Sequence, residues 1–325
     1  MKAIVQDGYG SADALQYADI EMPQIGIEDV LVQVRAAGVD PGVWQLMTGR
    51  PYPVRLFRGG VRQPKVPVRG RDLSGVVQAV GAAVTRLRPG MEVYGVTRHG
   101  SFAEYAVSCE SELFRKPHNL SFAQAAAVPV SGMTALQGLR DVGHVQPGQH
   151  VLITGAGGGV GSYAVQLART FGAHVTAVCS TSKTELARSL GAEDVIDHTR
   201  DQVDARGPRF DLILDTVGRQ PVPGLRRALT PHGTLANVGS EGGDSWLGGF
   251  GPHNLRASYR SAFSQQRLRI VVAKQRFEDL EFLTDLIEVG RLMPVIDRIY
   301  PLPEAADAIR YLAQGHTAGK VVVTT

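Results

Sequence analysis

The chain has 325 residues, a length typical of about two domains. Charged residues make up 20% and hydrophobic residues 43%, and the formal net charge is only +3. This composition is that of an ordinary globular protein, without the basic excess of nucleic-acid-binding domains. With only two cysteines, Cys109 and Cys179, a disulfide framework is excluded.

The compartment is predicted from the same counts. No stretch approaches the roughly 18 consecutive apolar residues of a membrane span. The first ten residues, MKAIVQDGYG, lack the apolar core of a secretory signal. Because the sparse cysteines also fit a reducing environment, we expect a cytoplasmic protein without nucleic-acid or membrane partners.

The first 122 residues combine short β patterns with Pro and Gly turns. Alternating apolar and polar residues predict strands at 29–39, 73–81, 91–97 and 102–108. Strands this short and this closely spaced favour a small, partly open β-barrel.

The pattern changes at Ser121, which is a suitable N-cap for an Ala-rich helix. Strands then alternate with helices, which favours an α/β fold with a doubly wound parallel sheet. The predicted strands are 150–154, 174–179, 194–197, 210–215 and 233–238, with 266–275 closing the sheet, and the predicted helices are 159–171, 183–190, 221–229 and 277–290.

The C-terminal tail has a strand–helix–strand pattern, and we expect its last strand to return to the first domain. That domain is then discontinuous, comprising 1–122 and 273–325. The α/β domain occupies 123–272.

The glycine-rich segment VLITGAGGGVGSYAVQLA, residues 151–168, lies between a predicted strand and a predicted helix. It can be read as T-G-x-x-x-G-x-G or as A-x-G-x-x-G, and the strand–helix context is the one that a dinucleotide site requires. The amides and dipole at the helix N-terminus favour a pyrophosphate. The predicted cofactor-binding residues here are Ala156, Gly157, Gly158, Gly159, Val160 and Gly161. A tight turn without a ligand is disfavoured, since so many glycines weaken a helix start.

The end of the next strand indicates which dinucleotide is bound. Sites that prefer NAD place Asp or Glu about 20 residues past the glycines. Here the strand ends in Cys179, Ser180, Thr181, Ser182 and Lys183. Hydroxyls and an ammonium group suit a 2′-phosphate, so we predict NADPH, with Ser180, Thr181 and Lys183 as contacts. The alternative is that the three hydroxyl residues only cap the following helix.

His198, just past the third strand of this domain, also has two interpretations. It contacts the adenine or the phosphate, or it is a surface residue without a role.

Several segments resemble one family from end to end. They are VLVQVRAAGVDPGVW (30–44), VPVRGRDLSGVVQAVG (66–81), GSFAEYAV (100–107), AAAVPVSGMTAL (125–136), GAGGGVGSYAVQLARTFGAHV (155–175), DLILDTVG (211–218) and GKVVV (319–323). In this order the chain resembles the medium-chain dehydrogenase/reductase superfamily, and most of all its zinc-free quinone oxidoreductases of the zeta-crystallin type. The resemblance implies a GroES-like barrel domain, a Rossmann domain and a homodimer. Short-chain dehydrogenases are excluded, because none of the nine tyrosines begins a Tyr-x-x-x-Lys motif.

The same resemblance bears on the metal. Zinc enzymes of this superfamily place Cys where Asp40 stands and His where Arg71 stands. Because arginine is not a zinc ligand, we expect no metal. A hard-cation site made by Asp40 and Asp72 is disfavoured, since Asp72 matches the acidic position that is usual in the G-x-D/E turn of this family.

Without zinc, the substrates left are those that conjugation already activates, which are quinones and α,β-unsaturated ketones or aldehydes. The resemblance implies an NADPH-dependent reductase of such compounds. The alternatives are a non-catalytic NADPH-binding protein and a biosynthetic reductase with one specialised substrate.

The resemblance also implies contacts around the nicotinamide. The expected residues are Asp40, Thr134, Val217, Val238, Gly239 and Lys320. Asp40 stands where the family often has Asn and is also a candidate catalytic residue. The alternative for Lys320 is a solvent-facing side chain. Tyr52 is a candidate proton donor, with stacking on a ligand and proton delivery from water as alternatives. The Gly-rich segment 240–263 is interpreted as a lid or pocket wall.

Overall fold

The computed structural model describes residues 1–50, 52, 55, 60–205, 207–218, 220–238 and 265–325. They form two compact units. Unit one comprises Met1–Met133 and Gln275–Thr325, and unit two comprises Thr134–Lys274.

The strands are Lys2–Val5 (β1), Gln16–Asp19 (β2), Asp29–Val39 (β3), Asp72–Val80 (β4), Glu92–Val96 (β5), Tyr105–Cys109 (β6), Leu113–Arg115 (β7), His150–Thr154 (β8), His174–Cys179 (β9), Asp194–Asp197 (β10), Phe210–Asp215 (β11), Leu229–Asn237 (β12), Arg267–Ile270 (β13), Ile296–Pro301 (β14) and Lys320–Thr324 (β15). The α-helices are Pro41–Thr48 (α1), Phe122–Ala126 (α2), Pro129–Gln137 (α3), Gly159–Thr170 (α4), Thr184–Ser189 (α5), Val222–Ala228 (α6), Phe277–Glu288 (α7) and Ala305–Ala313 (α8).

Unit one is organised around β3, the longest strand of its seven-stranded sheet. The sheet order is β14-β15-β3-β4-β5-β7, and β6 also pairs with β3. Val32 and Val34 of β3 are buried with Leu73, Phe102 and Val321 in one apolar cluster. Because β15 pairs antiparallel with β3, with Val321 opposite Val39, the predicted return of the last strand to the first unit is confirmed.

Most strands predicted for unit one are confirmed to within two residues. The exception is 102–108, where the strand starts only at Tyr105. Phe102 and Ala103 are instead held against the first strand, by a hydrogen bond from Ile4 N to Phe102 O and a bridge from Ala3 to Ala103. The GroES-like barrel expected from the sequence is therefore present.

The boundary between the units lies later than the predicted 122/123. Ser121 caps α2 as expected, in a reciprocal capping box with Gln124. However, the Ala-rich segment divides before Pro129, and α2 packs on β3 and β4, where Ser74 Oγ donates to Phe122 O over 2.6 Å. At the other end, both backbone groups of Lys274 bond to the Gln137 side chain, over 2.7 and 2.9 Å, which keeps this residue in unit two.

Unit two is a six-stranded parallel sheet in the order β10-β9-β8-β11-β12-β13. In chain order this is 3-2-1-4-5-6, the Rossmann arrangement, whose order reverses between β8 and β11. The predicted strands at 150–154, 174–179, 194–197 and 210–215 are confirmed. The one predicted at 233–238 starts earlier, at Leu229, because its pairing with β11 shifts register between Phe210 and Leu212.

Within the described residues, no helix combines the length and the apolar character that crossing a bilayer would need.

Candidate active site

The glycine loop joins the end of β8 to the start of α4, as the sequence predicts. Gly158 is the N-cap of α4, and the first helical hydrogen bond runs from Ser162 N to Gly158 O over 3.0 Å. The amides of Gly159, Val160 and Gly161 precede that bond and have no helical acceptor. The loop therefore offers a row of N–H donors at the positive end of a helix dipole.

Two glycines of this loop differ in how much room surrounds them. A Cβ on Gly161 would lie 2.1 Å from Gly155 O and 2.7 Å from Ala156 Cα, so no side chain fits there. A Cβ on Gly158 would meet only Gly155 O, at 3.3 Å, and its φ of −92° suits any residue. Gly161 is thus required by packing, whereas the bare backbone at Gly158 leaves space for a ligand.

The neighbouring strand β11 supports the loop through Asp215, which the sequence analysis did not single out. Thr154 Oγ1 donates to Asp215 Oδ1 over 2.6 Å, and that oxygen also accepts from the amides of Val217 and Gly218. Val217 also lies against Gly155, whose φ is +62°. The Asp in DTVG, at a strand end beside the glycine loop, is the signal that could have identified this residue.

Three other predicted cofactor residues lie at the same edge of the sheet. Val238 N donates to Asp215 O over 2.9 Å, and His198 N donates to Cys179 O over 3.1 Å. A Cβ on Gly157 would lie 2.7 Å from Cδ of Lys183. The carboxyl ends of β8, β9, β10, β11 and β12 therefore bring the predicted residues of unit two together, at the strand-order reversal where such sheets bind ligands. Gly239 and the segment 240–263 lie outside the described residues.

The hydroxyl segment Ser180–Ser182 does not cap α5, so that alternative is wrong. A 3₁₀ turn over Thr181–Lys183 precedes α5, and neither element has a side-chain cap. Thr181 Oγ1 instead bonds to the carboxylate of Asp197, at the end of β10. Hydrogen bonds from Thr181 and Thr199 lower the pKa of Asp197 to about 2, so a fixed negative charge lies beside this segment. The sequence analysis missed it because β10 supplies this carboxylate, whereas the family rule looks at the end of β9.

In unit one, Asp40 caps helix α1. Its Oδ1 accepts from Gly42 N over 2.7 Å. The side chain is buried, and its Oδ2 has no hydrogen-bond partner among the described residues. Asp40 therefore keeps one acceptor free.

Lys320 is buried with Asp72, so the solvent-facing alternative is wrong. Its Nζ lies 3.4 Å from Asp72 Oδ2, and the two side chains are 2% and 0% exposed. Burial raises the pKa of Asp72 to about 7, with the Asp40 carboxylate adding to the rise and the Lys320 ammonium opposing it. Val130 N also donates to Asp72 Oδ1, over 3.0 Å.

Tyr52 is 42% exposed, and the Arg55 guanidinium lies 4.7 Å from its ring centroid. The ring centroid of Tyr9 is 4.2 Å from the same guanidinium. Arg55 also donates to Gly49 O over 2.9 Å. Tyr52 is thus held by stacking on Arg55.

Thr134, on α3, is buried and belongs to unit two.

The two glycines give a paired prediction. Gly161→Ala should lower the melting temperature and abolish NADPH binding, because its methyl group overlaps the backbone of Gly155. Gly158→Ala should keep the wild-type melting temperature and weaken NADPH binding at least tenfold, because its methyl group occupies ligand space. Thermal unfolding and fluorescence titration with NADPH measure both. Equal NADPH affinity in Gly158→Ala and wild type would show that this loop does not bind the cofactor.

Comparison with known proteins identifies the family. Residues 26–118 match the family model of the alcohol dehydrogenase GroES-like domain, and residues 190–323 match that of a zinc-binding dehydrogenase. The chain is 30% identical to a chloroplast envelope quinone oxidoreductase homolog of Arabidopsis thaliana, covering 99% of this chain and 98% of that protein. It is 34% identical to a chloroplastic NADPH-dependent alkenal/one oxidoreductase of the same plant, covering 99% and 79%.

Solved structures agree with these relatives. The quinone oxidoreductase from Coxiella burnetii is similar with a TM-score of 0.87 and 28% identity, over 100% of this chain and 99% of that one. The chain therefore belongs to the medium-chain dehydrogenase/reductase superfamily, in the group that includes the quinone and enone oxidoreductases.

Proposed function

We propose that this protein is an NADPH-dependent, zinc-independent reductase that transfers hydride to a quinone or to an α,β-unsaturated carbonyl compound. The observation that carries the proposal is the glycine loop at the strand-order reversal, where unbonded amides and a bare Gly158 backbone suit a pyrophosphate. The names of its relatives support the substrate class, since they are called quinone and alkenal/one oxidoreductases.

The cofactor fits the residues of unit two. The amides of Gly159–Gly161 would hold the pyrophosphate, and Val217 and Val238 would line the nicotinamide half. Bound NADPH supplies the hydride, and the chain binds and orients the reactants. For the ribose beside the nicotinamide we propose Asp40, whose free Oδ2 can accept a hydrogen bond from a hydroxyl group. Thr134 and Lys320 remain proposed contacts of the same cofactor.

The preference for NADPH is supported by Ser180 and Lys183, which place a hydroxyl and an ammonium group at the end of β9. Thr181, the third predicted contact, donates its hydroxyl hydrogen to Asp197. Lys183 also packs along Gly157 of the loop, close to the predicted phosphates. The carboxylate of Asp197 opposes a second phosphate, but it is engaged by Thr181, Thr199 and Arg200, whose Nε is 3.7 Å away. We propose that Lys183 is the charge that selects the 2′-phosphate.

Zinc independence is supported by chemistry at the positions of the expected ligands. Arg71 has no lone pair to give to a cation. Among the residues that the structure describes, no three His, Cys, Asp or Glu side chains lie close enough to hold a metal ion. Activation of the substrate then depends on its own conjugation and on hydrogen-bond donors of the protein. We propose water as the proton source, with Tyr52 positioned by Arg55 as the alternative donor.

The test is NADPH oxidation at 340 nm by chelator-treated protein, with a panel of quinones, enones and enals. We expect turnover of at least one class with NADPH, and slower turnover with NADH. Binding of NADPH without oxidation by any acceptor would instead favour the non-catalytic protein or a reductase with one specialised substrate. Activity that is lost with chelation and restored by Zn²⁺ would contradict zinc independence.

Lys183→Met should raise the dissociation constant for NADPH about 10- to 100-fold and change that for NADH less than twofold. The reason is that a hydrogen bond to a charged group contributes about 1.5–3 kcal/mol, and only NADPH carries the 2′-phosphate. Arg188→Met is the matched control. Arg188 is an exposed cationic residue of α5, the helix that follows Lys183, and it pairs with Glu185. Fluorescence titration measures both constants. Equal losses for the two nucleotides in Lys183→Met would assign Lys183 to the pyrophosphate.

We also propose a homodimer that pairs through β13. In the described part of the chain, β13 pairs only with β12, and Ile270 and Val272 are 55% and 66% exposed there. An open edge with apolar side chains favours pairing with another strand. The mass of one chain is 34.8 kDa, and light scattering should give twice that mass. Ile270→Asp should lower that mass, whereas Val289→Asp, at an equally exposed valine of unit one, should not. A monomeric wild-type protein would contradict the proposal.

The cytoplasm remains our proposed compartment, although several relatives are chloroplastic or mitochondrial by name.

A further inference from the structure

Arg71 carries a cationic side chain that has no bonded partner among the residues that the structure describes. It immediately precedes β4, and its carbonyl oxygen accepts from Thr97 N over 2.8 Å. The side chain is half-buried. Among the described residues no hydrogen bond or ion pair engages the guanidinium, and its influence on Asp72 is purely coulombic.

An acceptor without a partner lies next to this donor. A Cβ on Gly42 would lie 2.7 Å from Asp40 Oδ1 and 3.8 Å from Arg71 Nη1, so the two side chains approach the same point. Asp40 Oδ2 is buried and unpartnered within the described residues. Leaving a buried polar group unsatisfied costs about 1–3 kcal/mol, and such a group in a native protein calls for an explanation.

A ligand with both kinds of group would satisfy the pair. If Asp40 accepts from the ribose hydroxyl proposed above, the neighbouring guanidinium remains for an acceptor on the other reactant. The acceptor that a quinone or an enone offers is its carbonyl oxygen. A guanidinium presents five N–H donors in a planar fork and stays protonated at any working pH.

We infer that Arg71 is a catalytic residue that binds the carbonyl oxygen of the substrate and stabilises the negative charge that hydride addition places on it. This inference rests on the proposed function. Bound NADPH would supply the hydride, with a C–H bond of its dihydronicotinamide ring breaking. The hydride would form a C–H bond at the conjugated carbon of an enone, or an O–H bond at one oxygen of a quinone, and the conjugated π electrons would move to the carbonyl oxygen that faces Arg71. Arg71 keeps its protons, and water then protonates the resulting enolate or phenolate.

The charges around Arg71 suit this role. Asp40 and Arg71 carry opposite charges close to Gly42, and no ion pair joins them among the described residues, so the guanidinium stays available to a substrate oxygen. The interaction strengthens as charge develops on the oxygen, which is the condition for raising kcat and not only lowering KM. The nearby Asp72 carboxylate is buried with Lys320, 3.4 Å away, and so has its own counter-charge.

The kinetic test is Arg71→Gln, which removes the charge and keeps a polar side chain of similar reach. Loss of one donor to a developing oxyanion lowers kcat about 10²- to 10³-fold. We expect that loss with an unchanged dissociation constant for NADPH, an unchanged melting temperature, and partial recovery in Arg71→Lys. Arg88→Gln is the matched control, because Arg88 is exposed in the same unit. Wild-type kcat in Arg71→Gln would overturn the inference.

A second test needs no turnover. 4-Nitrophenol resembles the anionic product of quinone reduction, and its absorbance reports its ionisation. In the presence of NADP⁺, wild-type protein should bind the phenolate in preference to the phenol and shift its titration to lower pH, and Arg71→Gln should abolish the shift. An equal shift in both proteins would overturn the inference. The protein could show a titration shift that depends on Arg71 and still reduce no compound of the panel. That result would support the anion site and contradict the proposed reductase function.

Discussion

The contact between the start of helix α4 and the glycine loop determines where unit two can bind a ligand. The helix lies so close to Gly155 and Ala156 that position 161 has no room for a side chain. This closeness brings the unbonded amides of the first turn to the carboxyl edge of the sheet. Thr154, Asp215 and the amides after Asp215 then fix the adjoining loop by hydrogen bonds of 2.6–3.3 Å. The proposed pyrophosphate site is therefore a consequence of backbone packing more than of any polar side chain.

In unit one the main constraint is electrostatic, because charged groups are buried in an apolar barrel. Burial disfavours the ionised carboxylate of Asp72, and the Lys320 ammonium opposes that effect. Lys320 comes from β15, the last strand, which pairs with β3 and so belongs to the first unit despite its distance in sequence. The C-terminal strand thus contributes a counter-charge as well as a sheet partner, which links the discontinuity of the domain to its electrostatics.

Much of this arrangement could be predicted from the sequence. Strands β8 to β11 were predicted to the residue. β8, β9 and β11 are largely buried apolar runs, whereas β10 is a short edge strand of exposed and half-buried residues. The glycine loop was predicted together with its flanking strand and helix. What failed depended on contacts between distant segments. The packing of α2 on β3 and β4 moved the unit boundary, and the register shift in β12 lengthened that strand.

The site residues that the sequence did not reveal share one cause. Asp197 approaches Thr181 from a neighbouring strand, and Asp215 binds Thr154 across the strand-order reversal. Neither pairing follows from spacing along the chain. That the Arg71 guanidinium and Asp40 Oδ2 have no partner within the described ranges is likewise a property of the folded chain, since sequence shows residue types but not whether their hydrogen bonds are satisfied.

A guanidinium in place of a zinc ligand favours different chemistry from the zinc ion that such a ligand would hold. Zinc acts as a Lewis acid and lowers the pKa of a bound oxygen, so it can activate an alcohol for oxidation. A guanidinium donates hydrogen bonds but does not accept a lone pair from an oxygen atom as a metal ion does. It therefore stabilises an oxyanion less strongly than zinc does. It is therefore suited to an acceptor whose charge is already spread by conjugation, as in a quinone or an enone. The proposed role of Arg71 and the proposed zinc independence are therefore consistent with each other, since a conjugated carbonyl compound is the substrate that a guanidinium can activate.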